Sequence, residues 1–137
     1  MIDIKFEGYY VDSGVSKKIC IVDKPSEEYV LTNLNELNDK CSGTVVMENM
    51  LAKEDVEPLN LMLYLENGRY LLMLLDYDEE GYVDVRTAYN PDAPKGEWTY
   101  IKGELHCATT VINDLEIAKA CFLEFNATGN VSQSLLD

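Results

Sequence analysis

Leu59 to Tyr77 reads LNLMLYLENGRYLLMLLDY. Leu59, Leu61, Leu63 and Leu65 alternate with Asn60, Met62, Tyr64 and Glu66, the period of a strand with one face against a core. Asn67-Gly68 follows, and both residues tolerate the positive φ that a two-residue hairpin turn demands. The strand pattern resumes from Arg69 to Leu75. A third strand is predicted over Tyr82 to Tyr89, joined to the second by the DYDEEG turn. Three antiparallel strands in sequence make a meander.

Working outward from this hairpin, Ile2, Ile4 and Phe6 alternate with Asp3, Lys5 and Glu7, a half-buried strand that ends at Asp12-Ser13-Gly14. Lys18 to Val22 reads as a second strand. Pro25 suits a first helical turn, with Glu27 and Glu28 at the positive end of the dipole. Val30, Leu31, Leu34 and Leu37 then mark one face of a helix that reaches about Asn38, and Cys41-Ser42-Gly43 ends it. Thr44 to Met47 is a short strand, and acidic Glu48 to Pro58 an exposed connection. Asn90 to Gly96, with two prolines, is a loop. Trp98 to Leu105 is strand-like with a break at Gly103. Asn113 caps a last helix whose face is Leu115, Ala118, Phe122 and Phe125, flanked by Ile117 and Cys121. Gly129 stops that helix in a left-handed conformation. The sequence therefore predicts an α+β fold in which two main helices pack against an antiparallel meander, as a single domain over residues 1–137.

The longest uninterrupted apolar run, Leu71 to Leu75, is too short to cross a bilayer, and charges at Asp3, Lys5 and Glu7 interrupt any signal-like segment. The expected location is the cytoplasm. Twenty-five acids against eleven bases leave a net charge of −14. Between Val46 and Val85 stand ten acids and two bases, so that stretch holds −8 of it. Such a field disfavours nucleic acid and anionic membranes and speeds capture of a basic protein.

No catalytic, cofactor or metal site is expected. His106 is the one histidine and has no nucleophile motif near it. The glycines are scattered as turn residues rather than gathered in a phosphate loop. Cys20, Cys41, Cys107 and Cys121 lack zinc-ligand spacing and read as small buried hydrophobes. The stretch DYDEEGYVDVRT, Asp76 to Thr87, places Asp76, Asp78 and Glu80 at positions one, three and five of a calcium loop and Gly81 at six. Position twelve is Thr87, where such a loop closes with a bidentate glutamate, and the flanks read as strands rather than helices. Carboxylates on a hydrated hairpin tip are also poor general acids. The pattern points to a protein that binds rather than one that reacts.

Two segments carry a family resemblance. LNLMLYLENGRYLLMLLDY gives the central hairpin, and YIKGELHCATTVINDLEIAKACFLEFNATGN gives a Gly-Glu strand and a closing helix with spaced phenylalanines. Leu59 to Gly129 thus resembles the first-numbered immunity-protein family of bacterial polymorphic toxin and contact-dependent inhibition systems. The tail NVSQSLLD lacks the tryptophan that members often carry after the helix-ending glycine; the chain's one tryptophan is Trp98. The resemblance implies a non-catalytic antitoxin, one half of a 1:1 heterodimer with a cognate toxin, typically a nuclease or nucleic-acid deaminase. Such toxins are basic where they hold phosphates. The expected interface is Asp76, Asp78, Glu79, Glu80 and Asp84, anchored by Tyr77 and Tyr82, with Glu54, Asp55 and Glu57 as a second patch. The other reading of that tip is a solvated turn facing away from any partner. For the chain as a whole, the alternatives are a cytoplasmic ligand-binding or regulatory domain and an enzyme that uses the carboxylates.

Overall fold

The chain alternates between extended and helical segments as its apolar periods change. The computed structural model describes every residue from Met1 to Asp137. Its elements run β1 (Ile4–Asp12), β2 (Val15–Asp23), α1 (Glu27–Asn35), β3 (Cys41–Asn49), β4 (Asn60–Glu66), β5 (Arg69–Tyr77) and β6 (Val83–Thr87). They continue through β7 (Trp98–Ile101), β8 (Glu104–Cys107), a 3-10 turn at Ala108–Thr110, β9 (Val111–Ile112) and α2 (Leu115–Thr128). The main sheet is antiparallel in the order β2-β1-β3-β4-β5-β6, and β9 pairs with β5 beyond the end of β6. This is the α+β fold expected, and the β4-β5-β6 meander is its centre. Asn67 and Gly68 have φ of 50° and 83°, the left-handed pair that a primed hairpin turn needs.

One face of the sheet is covered. Ile4, Phe6, Val45, Met47, Leu61, Leu63, Leu65, Leu72 and Leu74 point to it at alternate positions, and α1 and α2 lie over them. Phe6 meets Tyr29 and Phe122 edge-on, each with ring centroids 6.1 Å apart, an arrangement that favours aromatic pairs beyond their buried area. Asn126 of α2 donates to the carbonyl of Pro25, tying the second helix to the start of the first. On the opposite face, Leu71, Ile101 and Val111 form a second, smaller cluster where the β7-β8 hairpin crosses the sheet. Arg69 donates to Thr99 Oγ1, and the Lys102 amide to Glu66 Oε2, which holds that hairpin down.

Several local expectations need correction. Cys41-Ser42-Gly43 does not end α1 but begins β3; the helix ends three residues earlier than its apolar pattern suggests, at Asn35. Gly43 is in the strand because β3 passes very close to β1: a Cβ there would lie 2.5 Å from Tyr10 Cα. Trp98 to Leu105 is not one broken strand but the β7-β8 hairpin, turned at Lys102-Gly103 with φ of 55° and 79°. Asp114, not Asn113, caps α2, accepting from the Glu116 amide. Cys41 and Cys121 are buried as expected, but Cys20 and Cys107 are exposed. Cys20 faces out because it follows the buried Ile19 in the alternation of β2; the bulge between the residues opposite Phe6 and Gly8 then leaves Ile21 exposed as well. No helix is long and apolar enough to cross a membrane.

Candidate functional site

The acidic residues singled out in the sequence lie at one end of the sheet, six of them in two loops and Asp76 and Asp84 on the strand ends that flank the second loop, and the fold brings these loops together. The first is the β3-β4 connection. Asn49, buried at the end of β3, accepts on Oδ1 from the Asp3 and Leu51 amides, which fixes where the loop leaves the sheet. Residues 53–57 then close on themselves. The Lys53 carbonyl accepts from the Val56 and Glu57 amides, and Glu57 Oε1 accepts from the Lys53 amide. The second loop is the β5-β6 turn. Asp78 Oδ1 accepts from the amides of Glu80 and Tyr82, and the Asp78 amide donates to the Tyr82 carbonyl. Gly81 takes the positive φ of 85° that lets the chain reverse, and a Cβ on it would lie 3.6 Å from the Asp55 carbonyl oxygen. The two patches are therefore one surface.

The ten expected interface residues divide by their contacts. Asp76 is engaged in the fold: its Oδ2 lies 3.0 Å from Arg86 Nη1, with side chains only 15% and 8% exposed. Asp78 and Glu57 hold backbone turns. Tyr77 is half-buried and lines a cleft of about 260 Å³ with Ala52, Lys53, Glu54, Glu57 and Leu59. Glu54, Asp55, Glu79, Glu80, Tyr82 and Asp84 are exposed, and none of the five acids among them forms an ion pair. Asp84 stands directly across from Asp76, so two carboxylates face each other on adjacent strands.

Apolar residues that the sequence reading passed over share this surface. Met50, Leu51 and Val56 are exposed in the first loop, and Val83 and Val85 on the strand after the second, beside the expected anchor Tyr82. The available signal was three apolar side chains in a loop otherwise dense with acids. A further exposed set, Trp98, Tyr100 and Leu105, lies on the outer side of the β7-β8 hairpin. That hairpin crosses β5 near Leu71, about 20 Å from Tyr77 at the strand rise of ~3.3 Å per residue. The acidic end can hold a basic surface around apolar anchors, the usual division between the core and rim of an interface.

The chemical candidates lie elsewhere. His106 Nε2 is buried without a hydrogen bond, 3.6 Å from Glu104 Oε2 on the same strand and across the β7-β8 hairpin from Thr99. Burial pushes the thiol of Cys121 up to about 12, with Glu124 adding to the shift and Arg86 opposing it; burial also raises Cys41. Both are thiols, not thiolates, at neutral pH. A cleft of about 390 Å³ lies between Ala88, Tyr89, Pro91, Ile117 and the tail residues Gln133 to Leu135 and Asp137.

Comparison with known proteins bears on fold and family. No protein of curated function matches the sequence significantly. The structure is similar to the crystal structure of a hypothetical protein from Neisseria gonorrhoeae, with a TM-score of 0.79 and 21% sequence identity over 96% of this chain and 92% of that one. At that identity the likeness is one of fold. Residues 3–135 match the profile of a family of unknown function (DUF6911). With nearly its whole length inside that match, the chain belongs to the DUF6911 family.

Proposed function

We propose that the protein is a cytoplasmic immunity protein that neutralises a basic toxin domain by tight 1:1 binding, without catalysis or cofactor of its own. The observation that carries this reading is the convergence of two loops into one surface where unpaired acids surround exposed apolar side chains. The resemblance of the central hairpin and closing helix to a family of immunity proteins supports it. So does the net charge of −14, which raises the capture rate of a basic partner. The target fits a nuclease or nucleic-acid deaminase, whose phosphate-binding surface is complementary to this end of the sheet.

The test is co-expression with the carboxy-terminal domain of a large secreted protein encoded upstream of this gene, where the genome carries one. The protein should restore growth and co-purify 1:1 with that domain; continued killing at full expression would overturn the reading. In stopped-flow mixing, Glu54, Asp55, Glu79, Glu80 and Asp84 replaced together by their amides should slow association and flatten its salt dependence. Tyr82→Ala should instead speed dissociation about tenfold, equivalent to ~1.4 kcal/mol. A ligand-binding domain is the second reading, favoured by the cleft beside Tyr89 and the tail.

A further inference from the structure

The chain's own tail shows how the outer edge of the sheet accepts a strand. Thr87, the last residue of β6, exchanges two backbone hydrogen bonds with Asp137, its amide donating at 3.2 Å and its carbonyl accepting at 3.0 Å. That reciprocal pair is the narrow rung of an antiparallel ladder. Backbone groups along a strand alternate in direction, so those of Val85 and Val83 point the same way as Thr87's, away from β5. The tail does not cover them. Val83 and Val85 are 61% and 47% exposed, and neither takes part in a hydrogen bond outside the regular elements.

The other edge of the sheet is blunted. β2 carries Lys17, Lys18 and a bulge, the devices that stop edge strands from pairing. The uncovered part of β6 has no lysine, proline or bulge. It has Asp84, flanked by Glu79 and Glu80 in the turn. Two copies of the chain meeting antiparallel along this edge would set one −14 surface against another and bring Asp84 close to its counterpart. The chemistry excludes a second copy and favours an opposite charge.

We propose that the free edge from Val83 to Val85 receives an extended segment of the basic partner as an added antiparallel strand, in line with the rung at Thr87. Cross-strand neighbours share a face. A lysine or arginine of the incoming segment would therefore lie opposite Asp84, and apolar residues opposite Val83 and Val85, beside Leu75 and Tyr77 on the open face. The pattern read by the edge is apolar-basic-apolar. Main-chain bonds supply attachment and the alternating side chains supply selectivity. The partner's identity rests on the inhibitor reading above; the strand addition is tested without it.

The probe is a capped synthetic pentapeptide, Val-Lys-Val-Lys-Val, added to the intact protein and followed by amide exchange and chemical shifts. Saturating peptide should slow exchange at Val83 and Val85 at least tenfold. Its dissociation constant should rise at least tenfold when its edge-facing amides are N-methylated, or when glutamate replaces lysine. Val85→Pro removes an outward N–H, a change edge strands tolerate, and should weaken binding by the same factor with melting near that of the parent. Should that variant unfold, the N-methylated peptide decides alone. Unaltered exchange, equal binding of the N-methylated or glutamate peptide, or self-association through β6 in sedimentation would each overturn the proposal. The peptide experiment contains no toxin; in the separate co-purification, toxin capture that survives Val85→Pro sinks the edge alone. A peptide that binds while toxin killing continues sinks the inhibitor reading alone.

Discussion

Five acids in twelve residues look interchangeable in the sequence, yet their neighbours give them different work. Asp76 is paired with Arg86, whose guanidinium also donates to Asn130 Oδ1 and to the carbonyls of Val131 and Leu136. Asp78 is the hub of its turn. Neither role is legible locally, because Arg86 lies ten residues on and its other acceptors lie 44 to 50 residues away. Substitution separates the roles. Asp76→Asn leaves a buried cation short of its counter-charge and should cost about 1.5–3 kcal/mol, the range for a hydrogen bond to a charged group. Asp84→Thr removes like-charge opposition across the strands and should raise stability by up to about 1 kcal/mol. Urea melts of the two variants check both signs. A loss of stability in Asp84→Thr would mean that Asp84 has a role in the fold.

At the scale of elements, period and turn chemistry made the central hairpin, β1 and both helices legible. They failed where a residue's role depended on a distant strand. Gly43 reads as a helix stop, but its lack of a side chain serves the close passage of β3 along β1, a contact between residues more than thirty positions apart. The same signal, a glycine inside a strand, is the mark of close backbone approach. Gly43→Ala should therefore cost at least about 1–3 kcal/mol, as overpacking does, whereas Gly14→Ala meets open space and is opposed only by its φ of 84°. Thermal melts of the two variants test the difference; equal losses would mean that β3 can shift away from β1. The β7-β8 hairpin was hidden for another reason. Its turn is Lys-Gly, where lysine takes a φ of 55° that it rarely adopts, so no Asn-Gly signal announces it.

For the whole molecule, the core holds four groups whose acidity burial suppresses: Cys121, Cys41, Tyr10 and Tyr70. Each has a folded value above its ordinary one, so the folded state keeps protons that the unfolded chain releases as pH rises. The stability linked to Cys121 is intact below its ordinary value of 9.0 and is lost as pH climbs toward about 12. Melting temperature should hold from pH 7 to 9 and then fall, by on the order of 4 °C per pH unit for one such proton. Cys121→Ala should start lower but fall less steeply, and parallel curves would show that the thiol does not titrate with unfolding. The surface was less legible than the core. Charge marked one region as a candidate. That two loops meet there, and that the strand beside them has a free edge, depends on the sheet order, and composition does not carry it.

The Arg86 cluster has a consequence for biosynthesis. Three of the four groups that accept from its guanidinium belong to Asn130, Val131 and Leu136. While those residues are still threaded through the ribosomal exit tunnel, the meander can pair but its buried cation has only Asp76. The nascent chain therefore holds this part of its sheet edge uncovered, and its cation short of three of its four acceptors, until Asn130 to Leu136 have left the tunnel. Locking of β6 is an event that follows translation of residue 136 rather than one that accompanies it.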